Sequence, residues 1–271
     1  MKKLIHIESE DIVFNHRIDS PLVEKLNNRH CHDTYEILYV ADGRGRYLIE
    51  GVEIEMLPRS LVIARPFEYH FIEVESKSTY ERYVIHFNRS VLSPDTAKLL
   101  DSMLGEDSSH GRYFSPDALS QTTISVFDRL EYANNLPEKE RSVYLGLLLS
   151  ELLVLLSGTG SQRINCDEDE LGARVARYIN DYLEMEISLD KLAKYFFVSK
   201  YYLCRSFKKY SGVSVHSYIN HKRVMYAKQL IDSGETASGA AYRVGFGDYS
   251  AFYRAYVKIL GKAPTHKTAR K

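Results

Sequence analysis

One pattern occurs twice near the C-terminal end of the sequence, and it leaves that region little choice of fold. Residues 189–212 read LDKLAKYFFVSKYYLCRSFKKYSG, which by period is a short helix, a tight turn and a second helix. Leu189, Leu192 and Ala193 share one face of the first helix, while Leu203, Phe207, Tyr210 and Ser211 line the second. Phe196, Phe197 and Val198 are expected to fill the turn, with Ser199 as the N-cap of the second helix. Shifted by 49 residues, Leu203, Arg205, Phe207, Lys208 and Gly212 land on Phe252, Arg254, Tyr256, Val257 and Gly261. Upstream of the turn the shift is 48, so Leu192 and Ala193 meet Ala240 and Ala241, and one residue has been inserted at 244–248. A repeat of this kind is one supersecondary unit used twice.

The outward residues of the first reading helix are Lys200, Tyr201, Cys204, Arg205, Lys208 and Lys209. A basic, hydrogen-bonding helix face braced across a turn by a shorter helix suits the DNA major groove. The plainer reading is a helical hairpin with a solvated Lys/Arg face, and the second copy decides against it. Between the copies, residues 215–233 form a helical stretch with Ser214 as N-cap and Gly234 as C-terminal stop. Such a helix spans roughly 28 Å at about 1.5 Å per residue. It would hold two reading helices near the ~34 Å separation of successive major grooves on one face of B-DNA. Charge points the same way. The formal net charge is zero, but from Leu171 onward there are 18 Lys+Arg against 7 Asp+Glu, leaving 18 against 29 before it. A basic half on an acidic half is expected when one half meets a polyanion.

Residues 173–266 resemble the DNA-binding domain of AraC-type transcription regulators, most specifically in Tyr242-Arg243-Val244-Gly245-Phe246 ahead of the last reading helix. The resemblance implies base contacts from Tyr201, Cys204 and Arg205 in the first unit and from Ser250, Tyr253 and Arg254, beside Tyr249, in the second. Lys200, Lys208, Lys209 and Lys258 would then serve phosphates, which position a protein without reading sequence. The chain departs from the family pattern at Thr236-Ala237-Ser238-Gly239-Ala240-Ala241, where larger aliphatic and acidic residues are usual. Gly239 should cost that bracing helix about 1 kcal/mol relative to Ala. The end, PTHKTARK, also lacks the aromatic-Arg pair that often follows the proline.

From residue 35 to 87 the period changes to two. Strands are expected at 35–40, 45–50, 52–56, 60–64, 69–74 and 83–87, separated by turns such as Asp42-Gly43 and Gly51, which points to an all-β sandwich or barrel. The spacing His30, His32, Glu36, Gly43 resembles the first motif of the cupin barrel found ahead of the DNA-binding domain in many AraC-type regulators. The second motif is half present, with Pro58, Ser60 and then His70. No cofactor is expected, although His30, His32, Glu36 and His70 are ligand types suited to a divalent first-row metal, which the barrel could take. The favoured role for the same residues is pocket lining around a small effector, with Tyr39, Arg46, Tyr47 and His86 as further polar walls. Each of these has an outward-facing strand position as its alternative. A metal-dependent cupin enzyme is the reading from another class. No nucleophile motif, phosphate loop or dinucleotide fingerprint supports it.

Helices are expected at 117–134 and 139–156, joined by Asn135-Leu136-Pro137. Leu145, Leu149, Leu152 and Leu156 form an apolar seam, which either pairs two subunits or packs within one. Ser157-Gly158-Thr159-Gly160-Ser161 reads as a flexible linker. Cys31, Cys166 and Cys204 make neither a disulfide framework nor a thiolate zinc site. No signal-peptide core and no run long enough to span a bilayer occurs, so a cytoplasmic protein is expected. The expected fold is α+β in two domains. Residues 1–157 form a cupin-like sensor and dimerisation domain (barrel about 1–90, helices about 95–157), 158–172 a linker, and 173–271 an all-α domain of two helix-turn-helix units on a long helix. The expected function is a DNA-binding transcription regulator. Its partners are double-stranded promoter DNA, a small-molecule effector such as a sugar, a second copy of the chain and RNA polymerase, with no membrane. A barrel that only dimerises and binds no ligand is the runner-up.

Overall fold

A computed structural model describes residues 3–9, 11–19, 30–74, 79–105, 110–164 and 170–265. The chain divides into two compact units, one rich in strands and one of helices together with the short segment Arg29–Asp33.

The first unit contains β1 (Lys3–Glu8), β2 (Ile12–Asp19), β3 (Tyr35–Asp42), β4 (Gly45–Ile49), β5 (Val52–Met56), β6 (Ser60–Ala64), β7 (His70–Val74) and β8 (Tyr80–Phe87). They are followed by α1 (Pro94–Leu104), β9 (His110–Phe114), α2 (Gln121–Tyr132), α3 (Glu138–Ser157) and β10 (Gln162–Ile164). All pairing is antiparallel, in a seven-stranded sheet ordered β1-β2-β8-β3-β6-β9-β10 and a three-stranded sheet ordered β5-β4-β7. Strands β3 to β8 fall where the period-two pattern places them. Strands β1, β2, β9 and β10 lie outside that pattern, and β10 falls inside the stretch that reads as linker.

The centre of the large sheet is buried on both faces. Ile37, Tyr39, Leu61, Ile63 and Ile85 pack with Phe127 and Leu130 of α2 and the leucines of α3. Their strand neighbours Leu38, Val40, Val62 and Ala64 pack instead with Tyr47, Ile49 and Met56 of the small sheet. The seam of Leu145, Leu149, Leu152 and Leu156 is fully buried in the first of these cores. It is therefore not a dimer interface. Truncating one of these leucines to Ala should cost about 2–5 kcal/mol, as for other core leucines. What α3 leaves exposed is a different face, Val143, Leu147 and Val154.

The second unit consists of α4 (Leu171–Asp181), α5 (Leu189–Tyr195), α6 (Lys200–Ser211), α7 (Val215–Asp232), α8 (Ala237–Arg243) and α9 (Tyr249–Leu260). Hydroxyl or carboxylate caps open five of these helices. Ser188 accepts from Lys191 N–H, Ser199 from Tyr202, Ser214 from Ser217, Thr236 from Gly239, and Asp248 from both Ser250 and Ala251. Each such cap satisfies a backbone donor that the helix itself cannot, and contributes about 1 kcal/mol. Residues 196–199 join α5 to α6 and residues 244–248 join α8 to α9, so the one-residue insertion read from the repeat is present. Among the described residues no helix is long and apolar enough to cross a membrane.

Candidate DNA-reading surface and barrel site

In α6 the buried positions are Leu203, Phe207, Tyr210 and Ser211, as the period requires. Lys200, Tyr201, Arg205, Lys208 and Lys209 are exposed on the other side, and Cys204 is half-buried. Lys200 is already engaged, with its ammonium 2.7 Å from Asp190 of α5. In α9, Phe252 and Tyr256 are buried, and Tyr249, Ser250, Tyr253, Arg254 and Lys258 are exposed. Asp248 caps this helix with its carboxyl held below the ordinary range by the backbone N–H groups of Ala251 and Ser250. Both helices end on a left-handed glycine, Gly212 (φ 73°) and Gly261 (φ 69°). All eleven residues read from the sequence as a DNA surface thus lie on the outer faces of α6 and α9. The connecting helix α7 spans about 27 Å at about 1.5 Å per residue.

The turn of the first unit differs from its sequence reading. Phe197 does not fill it: the side chain is 94% exposed.

In the strand-rich unit the polar interior is organised on Glu36, which is buried. Glu36 and His86 are cross-strand neighbours in β3 and β8. Tyr47 donates to Glu36 Oε1 at 3.2 Å, and the Nε2 atoms of His70 and His86 lie 3.4 and 3.7 Å from Oε2. Burial and the Glu36 charge push the Tyr47 phenol well up, so it stays neutral and donates. His70 Nδ1 lies 2.8 Å from the Glu68 carbonyl, which fixes the proton on that nitrogen and turns Nε2 to the carboxylate. Burial alone would lower the His70 pKa, but the Glu36 carboxylate together with the Glu68 carbonyl and charge reverses it, and the net direction is up. His30 and His32, read with Glu36 and His70 as metal ligands, fall in the other compact unit. Within the strand-rich unit, the Glu36 carboxylate with the imidazoles of His70 and His86, the former oriented by a backbone carbonyl, is a donor set of types that suit a divalent metal.

Two residues read as pocket walls lie elsewhere. Tyr39 stacks on Phe127 with ring centroids 4.4 Å apart, on the helix-covered face of the large sheet. Arg46 is 54% exposed and pairs with Glu53 at 3.3 Å and Glu73 at 2.7 Å across the three-stranded sheet. Alternation along a strand separates two faces but does not say which one faces the interior.

A helix-turn-helix domain model matches residues 192–270, and a model of the AraC-like ligand binding domain matches residues 24–165. The chain belongs to the AraC-type transcription regulators. It joins a sensor domain to a DNA-binding domain and is not an enzyme, so the metal-dependent cupin enzyme is set aside. The regulator is 24% identical over 254 residues to the HTH-type transcriptional activator RhaS of Enterobacter sp. (strain 638), covering 91% of this chain and 89% of that one. It is 27% identical to the uncharacterized HTH-type transcriptional regulator YbfI of Bacillus subtilis (strain 168), covering 84% and 82%. Among solved structures, ToxT from Vibrio cholerae aligns over 95% of this chain and 96% of its own, with 14% identity and a TM-score of 0.41.

The regulator also depends on a residue that motif reading passes over. Arg223 of α7 is buried and donates to the carbonyls of Leu183 (3.1 Å), Met185 (2.5 Å) and Gly245 (2.7 Å). It therefore ties the turn of the second unit to the loop after α4. Gly245 is held at φ +90°, and a Cβ there would meet the Arg223 guanidinium at 2.6 Å. The one sequence signal is a charge four residues from Ile219 and four from Ala227, on the buried stripe of α7.

Proposed function

We propose that the regulator binds promoter DNA through α6 and α9 and couples that binding to occupancy of the Glu36 site in its sensor domain. The observation that carries the DNA half is the paired exposure of Tyr201, Arg205, Tyr253 and Arg254 on two separately capped reading helices. The sensor half rests on a buried carboxylate facing a phenol and two imidazoles, a concentration of polar groups that a core made only for stability would avoid. Tyr80 adds to this, because its hydroxyl is buried with no hydrogen-bond partner among the described residues. A small polar effector, with a sugar as the first candidate, would satisfy such groups. A divalent metal with Glu36 and His70 among its ligands is the other occupant these donor types suit. It would supply a fixed positive charge that locks these side chains together. The activator names of the relatives, together with the cupin-like layout, support a cytoplasmic activator that meets RNA polymerase at the promoter.

Pairing of two copies is assigned to the exposed face of α3, Val143, Leu147 and Val154, in place of the buried leucine seam. A Leu147→Glu chain should sediment as a monomer while remaining folded; if it stays dimeric, this face is not the interface.

The test is binding of the full-length chain to its own upstream region and to scrambled DNA, repeated with a panel of sugars and with Zn²⁺, Ni²⁺ or a chelator. Ligand must change the affinity for specific DNA, and that change must vanish in Glu36→Gln. If no sugar or metal shifts DNA affinity or the melting temperature of the wild-type chain, the sensor half is wrong and a barrel that only dimerises takes its place.

A further inference from the structure

The two turns ahead of the reading helices are built alike and filled differently. In the second unit, Gly245 N–H bonds to the Tyr242 carbonyl at 3.0 Å and Phe246 N–H reaches back to Ala241 at 3.0 Å. This closure of a helix C-terminus requires one residue in the left-handed region, and glycine takes it freely. In the first unit, Phe197 N–H bonds to Lys194 at 3.3 Å and Val198 N–H to Ala193 at 3.0 Å. The left-handed residue there is Phe197 itself, at φ +55°. A bulky L-residue in that region is strained, and burial does not compensate, because the ring is 94% exposed. Local geometry asks for glycine and hydration asks for a polar residue. Neither requirement accounts for phenylalanine. Strain held at an exposed position is characteristic of functional sites.

Position decides what the ring meets. Phe197 stands two residues ahead of Ser199, the N-cap of α6, and Tyr201, 76% exposed, follows in the first turn of that helix. Reading helices present their N-terminal residues to base edges. The apolar group that the major groove offers there is the thymine methyl, which phenylalanine contacts favourably. We infer that Phe197, beside Tyr201, contacts a thymine methyl at the edge of the first half-site. The second unit, with Gly245 at the equivalent position, makes no such contact. Resting on the DNA-binding function proposed above, this makes Phe197 a specificity-determining residue outside the reading helix.

The experiment starts from a duplex selected out of a random pool by the wild-type full-length chain. Phe197→Gly relieves the backbone strain, so its melting temperature should rise while its affinity for the selected duplex falls about five- to tenfold, the low end of a one-base-pair mismatch. Replacing single thymines by deoxyuridine should reproduce that loss in the wild type at one position and leave Phe197→Gly unaffected there. If Phe197→Gly binds the selected duplex as tightly as wild type, the assignment is overturned, and the ring serves a protein partner. Equal losses on selected and scrambled DNA with no deoxyuridine effect overturn methyl readout as well. A wild-type chain that enriches no duplex brings down the DNA-binding function itself, an outcome distinct from the other two.

Discussion

The two reading units share one template and are stabilised in different ways. The first braces α6 with Leu192 and Ala193, caps it with Ser199, and carries a strained, exposed phenylalanine in its turn. The second braces α9 with Ala240 and Ala241, caps it with Asp248, and holds its longer turn through Arg223 and Gly245. Where apolar contact is reduced, a buried guanidinium bonded to three carbonyls replaces it. The first unit has contact area to spare and accommodates strain; the second has little and uses hydrogen bonds.

That contrast can be broken most forcefully at Arg223. Arg223→Ala removes a buried guanidinium and the donor of three part-buried hydrogen bonds, and should cost about 3 kcal/mol in urea unfolding of the full chain. Loss of binding to the α9 half-site should precede loss to the α6 half-site. If both half-sites weaken together, the second unit does not depend on this clamp.

Next in size are the reading residues. Arg205→Ala and Arg254→Ala should each relax preference at one base position, at about 1–3 kcal/mol. Lys208→Ala and Lys258→Ala should weaken binding to all sequences alike and reduce the salt slope by about 1. Titrations on selected and scrambled duplexes over a salt series separate the two behaviours, and equal losses from Arg205→Ala on both duplexes would remove it from the readers.

A smaller effect comes from Gly239. Its added Cβ would meet only the flexible ends of Glu235 and Thr236, at 3.0 Å. Gly239→Ala should therefore stabilise α8 by about 0.5–1 kcal/mol, read as a raised melting temperature. No gain would mean that those side chains cannot move aside.

One further effect shows itself only in acid. Burial pushes the His221 imidazole on α7 down to about 4. Its folded value lies below its unfolded one, so the stability it contributes is full above about pH 6.5 and is lost as pH falls toward 4. His221→Phe should flatten that part of the acid-unfolding curve, and an unchanged curve would assign the acid sensitivity to other groups.

The reading units are the most legible part of the sequence because helices declare themselves locally. Ser199, Ser214, Gly212 and Gly261 sit at helix ends, and the buried period of α6 is complete. The strand-rich unit is legible where alternation is regular, from β3 to β8. Legibility fails where burial depends on distant partners. Strand β2 carries His16 in its core, held between Glu81 and Glu131, so its apolar alternation is interrupted. Strand β9 reads HGRYF, and Gly111 is there because the backbone of Ile63 in β6 leaves room for nothing larger. Tyr39 is misplaced by the sequence for a related reason. Both faces of β3 are buried, so period two cannot tell the helix-covered face from the interior. In α3, leucines on the core face and apolar residues on the exposed face give the helix no polar side to orient it. Arg223 and Phe197 matter through what surrounds them in three dimensions, and no local motif announces either.

The most direct measurement is the affinity of the purified full-length chain for its own upstream region and for a scrambled duplex of the same length, across a salt series. A transcription regulator reading bases through both units should prefer the upstream region by about a thousandfold or more, with binding that weakens steeply as salt rises. Equal, weak affinity for the two duplexes at every salt concentration, with and without ligands for the Glu36 site, would contradict it.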